Sequence, residues 1–170
     1  MKLVYPSEKY LKSYNEAYKE YKKHKIDKYD FYNAEEIDIV KYCYNARKGI
    51  GLQPGWVTQT TYWLIDGNEF VGEISIRHSL TESLLRYGGH IGYGVKHSKW
   101  KQGYGSKMLS MALEKAKSIG LKKVLITCDD DNIGSAKVIE NNGGMLENII
   151  ENTINGKLIH TKRYWISLED

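Results

Sequence analysis

Gln102-Gly103-Tyr104-Gly105-Ser106-Lys107 is the stretch whose reading decides the fold. It follows His90-Ile91-Gly92-Tyr93-Gly94-Val95, which reads as a strand, and it opens a segment of strong helical periodicity. In that segment Tyr104, Met108, Ala112, Ala116 and Ile119 share one stripe, and Gly120 stops it. A glycine-rich turn at a helix start leaves the first backbone N–H groups without intrahelical partners, at the positive end of the helix dipole. Such a turn suits a phosphate or pyrophosphate.

Downstream, Val124-Leu125-Ile126 is a short continuous apolar run, expected of a central buried strand that extends to Cys128. Strand, helix and strand in this order make a right-handed crossover between parallel strands. Asp131 or Asn132 caps a further helix, which ends at Asn142-Gly143-Gly144. Residues 145–154 and 157–167 then form a hairpin about Asn155-Gly156.

Upstream, residues 60–65 and 69–77 flank Asp66-Gly67-Asn68, a second hairpin signal. Val71 precedes a change of register, after which Ile74 and Ile76 alternate with Glu73, Ser75 and Arg77. Residues 78–89 read as a connection. Near the N-terminus, Tyr10, Tyr14, Ala17, Tyr18 and Tyr21 share a helix face, with Ser7 as N-cap. A second helix is expected after Asn33, with Glu36 completing a capping box and Ile37, Val40 and Tyr44 turned inward. Gly49 and Gly51 end it, and residues 2–5 are the first strand. With no repeat or linker, residues 1–170 read as one mixed α/β domain.

Composition narrows the function classes. Hydrophobic residues make up 41% and charged residues 27% of the 170, which fits a globular domain with its own core. A net charge of +4 is too small to argue for nucleic acid. Cys43 and Cys128 lack the spacing of a metal site or redox pair, so no metal is expected and a reducing cytoplasm fits. No apolar run is long enough for a membrane span.

Three readings compete for the turn. A Walker loop needs a longer glycine spacing before Lys-Ser/Thr, and here the order is Gly105-Ser106-Lys107. A dinucleotide fingerprint needs a small residue where Met108 stands, and one clear acidic residue ending the next strand, where Cys128 is followed by three aspartates. A glycine-eased helix start with no ligand is the third.

A fourth reading uses the whole neighbourhood. Gly92-Tyr93-Gly94-Val95, followed by Trp100-Lys101-Gln102-Gly103-Tyr104-Gly105 and an amphipathic helix, resembles the acetyl-CoA site of GNAT-type N-acetyltransferases. Both glycines of the Gln/Arg-x-x-Gly-x-Gly/Ala pattern match, while Trp100 replaces its leading residue. The resemblance extends to the order of elements over most of the chain. It implies a mixed, mostly antiparallel sheet with helices on both faces and one parallel strand pair splayed for CoA. It further implies acetyl transfer to a primary amine in a ternary complex, with a non-catalytic acyl-CoA sensor or scaffold as the alternative. Partners would be acetyl-CoA and an amine, with no nucleic acid or membrane; a homodimer is compatible.

The same resemblance places the CoA pyrophosphate on N–H groups from Gln102 through Gly103, Tyr104 and Gly105 to Ser106, with Lys101 and Lys107 nearby. It places pantetheine against the backbone at Val95 and Lys96, and Asn132 and Ser135 on the opposite wall. The bare face of Gly92 and Gly94 suits a ligand approaching the backbone. In many family members a tyrosine on the later helix protonates the leaving thiolate; the matching position here is Ile139. Ser135 lies one turn earlier, and Tyr93, Tyr104 and Tyr164 are other phenols. For the general base the candidates are His90, whose unperturbed pKa of about 6.5 suits proton transfer, and Glu73 on the neighbouring strand. A structural histidine is the competing reading of His90. Arg77 and His78 would shape the acceptor pocket.

Overall fold

A computed structural model of the chain describes residues 1–169. Among these residues seven strands form one sheet in the order β1-β2-β3-β4-β5-β7-β6. The strands are β1 Lys2–Val4, β2 Gln59–Asp66, β3 Glu69–Arg77, β4 Ile91–Val95, β5 Lys123–Asp129, β6 Met145–Ile154 and β7 Lys157–Ser167. Every pairing is antiparallel except β4 with β5. Helices α1 (Leu11–His24) and α2 (Ile39–Lys48) cover one face, and α3 (Tyr104–Ser118) and α4 (Ile133–Glu140) cover the other. The expected fold class is therefore present, as are both hairpins and the parallel crossover.

Two separate cores follow from strand alternation. Val71, Ile74, Ile76 and Ile91 pack with Met108, Leu109 and Ala112 of α3. Trp63, Ile65 and Phe70 pack with Tyr14, Ala17 and Ile39 on the other side. The expected register change is at Val71. Leu64 pairs with Gly72 and Ile65 with Phe70, leaving Val71 as the extra residue of a bulge. Beyond the bulge, Glu73, Ser75 and Arg77 face α1 and α2.

Helix α2 differs from its sequence reading. Asn33 does bond Glu36, but as part of a turn, and the helix begins at Asp38, whose carboxylate accepts from the Lys41 N–H at 2.9 Å. The later start rotates the buried stripe to Ile39, Cys43 and Ala46, and Ile37 and Tyr44 are exposed. Ile119 is likewise exposed, because α3 ends at Ser118 and the chain turns away through Gly120 at φ 91°.

The decisive irregularity is between β4 and β5. Their register holds one residue pair, Ile91 with Ile126, and the strands then part. Toward its other neighbour β4 stays paired with β3 through to Val95. The Lys96 N–H reaches Val71 O and the Arg77 N–H reaches His90 O, so the amides of Tyr93 and Val95 point the other way, into the splay.

Candidate active site

The turn before α3 is built as its sequence suggests. Lys101 and Gly103 adopt positive φ of 59° and 81°, and α3 starts without a side-chain cap. Its first i to i−4 bond is Lys107 N–H to Gly103 O, so the N–H groups of Tyr104, Gly105 and Ser106 have no intrahelical acceptor. Gln102 folds its amide back onto Ser98 O at 3.0 Å, which fixes the loop. A side chain at Gly105 would press on Val138 of α4, so this glycine lets α3 and α4 approach beside the turn. Lys101 and Lys107 are exposed at its rim. The Tyr104 side chain turns away and bonds Asp66 at 2.9 Å, leaving only its backbone at the turn.

At Lys96, expected beside pantetheine, the backbone N–H donates to Val71 O at 2.8 Å and the carbonyl accepts from the Lys99 N–H at 2.9 Å. Its side chain, 5% exposed, bonds Glu16 and Glu69 at 3.0 Å each. Burial lowers the pKa of the ammonium, but those hydrogen bonds outweigh it and hold it above the ordinary value. Val95 is also partly committed. Its carbonyl accepts from Tyr21 Oη and from Trp100 Nε1, both at 2.8 Å, which leaves its N–H for a ligand. Trp100 therefore braces the loop, packing edge-on against Tyr21 and His97.

Two cavities meet where the strands part. One, of about 290 Å³, lies in the splay and is lined by Ile91, Tyr93, Thr127, Cys128, Asn132 and Ser135 among others. Asn132 caps α4 by accepting from the Ser135 N–H, and the Ser135 hydroxyl bonds the Tyr93 hydroxyl at 2.7 Å across the splay. Burial pushes the Tyr93 phenol well above its ordinary pKa. Ile139 is fully buried in the core, so the helix position that often carries a tyrosine supplies packing. The Asp129–Asp131 run does not sit open for an amine. Lys28, from the α1–α2 connection, bridges Asp129 and Asp131 at 2.9 Å each.

The other cavity, of about 200 Å³, lies on the α1/α2 face and is lined by Tyr29, Asp30, Tyr42, Glu73, Ser75 and Arg77 among others. Tyr29, Arg77 and Gly92 border both cavities. A Cβ on Gly92 would meet nothing within 4 Å, so this glycine opens the passage. Gly94 is not bare, contrary to expectation: a Cβ there would collide with the Tyr29 ring. Glu73, 4% exposed, accepts from Tyr29 Oη and Trp63 Nε1, each at 2.7 Å. Burial raises its pKa above the usual carboxylate range, and the two hydrogen bonds only partly offset this.

His90 lines neither cavity. Its N–H donates to Leu125 O at 2.7 Å, and its Nδ1 accepts from the Leu125 N–H at 2.9 Å. The imidazole thus clamps β4 to β5 just where their pairing begins. Burial, with the neighbouring Arg77 charge, lowers its pKa to about 4. With Nδ1 already accepting, the neutral ring carries its proton on Nε2 and has no free basic nitrogen. The expectation of His90 as base is corrected on that ground. Tyr29 carries no signal in the sequence, and Lys28 reads there only as one of the lysines near the first helix, because both lie in a connection whose path no periodicity reveals. His78, just past the end of β3, bonds Thr58 and Thr60 and lines neither cavity.

Among the described residues there is no group of three or more potential metal ligands and no helix long and apolar enough to cross a membrane. The family model for the GNAT acetyltransferase domain matches residues 14–145. The chain belongs to that family, and its chemistry is acetyl-CoA-dependent N-acetyl transfer. No curated protein matches the chain.

Solved structures share its fold at low identity. One is the microcin C7 self-immunity acetyltransferase MccE with acetyl-CoA and AMP, at 15% identity and TM-score 0.73, over 97% of this chain and 91% of that one. Another is the Salmonella typhimurium acetyltransferase that modifies the N-terminal serine of ribosomal protein L7/L12, at 19% identity and TM-score 0.73, over 98% and 94%. A spermidine N-acetyltransferase SpeG chimera from Vibrio cholerae and hSSAT matches at 14% identity and TM-score 0.68, over 99% and 97%. These acceptors differ in kind, so the fold does not choose one.

Proposed function

We propose that acetyl-CoA lies along the splay and that a primary amine enters from the Glu73 cavity to attack the thioester beside Gly92. The observation that carries this reading is the junction of the two cavities at Tyr29, Arg77 and Gly92. The CoA pyrophosphate takes the unpaired N–H groups running from Gln102 to Ser106, with Lys101 and Lys107 adding charge at the rim. Pantetheine uses the Val95 N–H, and the Tyr93 N–H polarises the thioester carbonyl as negative charge develops on its oxygen. Asn132 and Ser135 form the opposite wall.

The amine lone pair attacks the carbonyl carbon and the C–S bond breaks. The amine proton passes to the Tyr29 oxygen as that hydroxyl gives its own proton to Glu73. A buried carboxylate with a raised pKa is the better proton acceptor near neutrality. The departing sulfur leaves as a thiolate that accepts a hydrogen bond from the Ser135 hydroxyl, which its Tyr93 partner holds in the splay, and it is protonated from solvent, to which Glu73 returns the amine proton. A non-catalytic sensor needs no polar relay on the acceptor side, and Tyr29 with Glu73 is such a relay. On this reading residues 1–170 act as one domain in the cytoplasm, alone or as a homodimer, without nucleic acid or membrane.

The test combines calorimetry with acetyl-CoA and thiol release across a broad amine panel. Binding with acceptor-dependent release of CoA thiol is expected. Binding with no release from any amine would favour the sensor, and no binding would remove both.

A further inference from the structure

We infer that the acceptor is a small primary amine that also carries a carboxylate, and that Arg77 selects it. This rests on the acetyl-transfer reading above. Glu73 and Arg77 stand four positions apart on β3, so both project to the α1/α2 face, and both line the cavity of about 200 Å³. Between them Ser75 pairs with Gly92, the open glycine of the passage.

Among the described residues, neither charge is matched by an ion-pair partner. The hydrogen bonds to Glu73 come from the neutral donors Tyr29 and Trp63. Arg77 Nη1 donates to the carbonyls of Gly88 and Gly89 at 3.0 and 3.1 Å. Its Nε and Nη2 make no hydrogen bond among the described residues. No fully buried side-chain nitrogen or oxygen there lacks a partner, so these two atoms reach open space. A guanidinium presents a planar fork that fits a carboxylate in bidentate fashion, and leaving it half-buried without an anion is costly.

The cavity therefore holds a fixed cation at one end, a fixed anion at the other, and the route to the thioester between them. Asp30, the other charged lining residue, is exposed at the rim, where it favours an incoming ammonium. Arg77 also borders the splay cavity, so a carboxylate seated on it leaves the neighbouring amine beside Gly92. A polyamine would set a second cation against the same guanidinium.

The experiment measures CoA thiol release from the wild-type chain with free amino acids, their carboxamides, and dipeptides with free or amidated C-termini. At least one free carboxylate compound should show a KM about tenfold or more below that of its amide. Free amino acids against dipeptides then tell which source supplies the carboxylate. Arg77→Lys should raise the KM of the carboxylate compound while leaving that of its amide within about twofold. If amides are the better acceptors, the inference fails and acetyl transfer stands. If acetyl-CoA binds and nothing in the panel is acetylated, the inference fails as well. If acetyl-CoA does not bind, the reading beneath it falls too.

Discussion

The Tyr29 hydroxyl donates to Glu73 at 2.7 Å while its ring covers the bare Cα of Gly94 on the next strand. Glu73 and Gly94 are themselves register partners, so one aromatic side chain caps both members of a cross-strand pair. Glycine at 94 is what allows this. Gly94→Ala should push the ring off its seat and break the bond to Glu73. The expected result is a fall in kcat of about tenfold or more, with the acetyl-CoA Kd within about threefold. A kcat unchanged in Gly94→Ala would show that Tyr29 has no part in proton transfer.

Removing the carboxylate tests the same relay from its other end. Glu73→Gln keeps the shape and can still accept from Trp63, but it cannot take the amine proton. The rate constant should fall by about 10²-fold or more, with Tyr29→Phe losing a similar factor. Because the two act as one unit, the double variant should be little worse than either single one. Additive losses, measured in single-turnover acetylation, would separate the two residues.

How much of this was legible beforehand depended on the range of the forces involved. Hairpins at Asp66-Gly67 and Asn155-Gly156, the bulge at Val71 and the turn before α3 are local, and the residues that make them sit side by side. The roles of Lys96 and His90 are not local. Each carries a side chain suited to the chemistry next to it, yet Lys96 is drawn to Glu16 on α1, and His90 to the Leu125 amide on β5. Which partner wins was decided by long-range packing. Tyr29 was silent for the same reason: its connection has no period, and its partners are distant in sequence.

His90 gives a pH signature distinct from catalysis. Its folded pKa is lowered to about 4 by burial and by Arg77, against about 6.5 unfolded. The unfolded chain therefore binds more protons between these values. Stability from this group is fully present above about pH 6.5 and is lost as pH falls toward 4. The full shift corresponds to roughly 3 kcal/mol, and partial solvent access reduces the expected loss to about 1–2 kcal/mol. Denaturant titrations at pH 7 and 4.5 measure it. His90→Asn should flatten this slope; an unchanged slope would place the acid sensitivity elsewhere.

Ser135 and Tyr93 face each other across the splay at 2.7 Å, and Ser135 is proposed to donate a hydrogen bond to the leaving thiolate. A thiolate is a tolerable leaving group, so the effect should be moderate. Ser135→Ala should lower kcat by about tenfold, and Tyr93→Phe by less, since its hydroxyl only positions the serine. Both should leave the melting temperature within a few degrees. The loss in Ser135→Ala should shrink with an acyl donor whose thiol has a lower pKa. If it does not, Ser135 serves binding and not the leaving thiolate.

Lys96 separates a structural cation from a ligand-binding one. Its ammonium is almost wholly buried and shared by Glu16 and Glu69 at 3.0 Å, with Glu20 at 3.9 Å. Lys96→Met would keep the packing of the stem but leave these carboxylates without their common partner. They remain partly solvated, so the cost should fall below that of a fully buried pair, at about 1–3 kcal/mol. Because the side chain points to α1 and β3, away from the turn at Gly103, the acetyl-CoA Kd should stay within about twofold. Calorimetry beside denaturant unfolding distinguishes the outcomes. A Kd raised tenfold with stability unchanged would make Lys96 a CoA-binding residue after all.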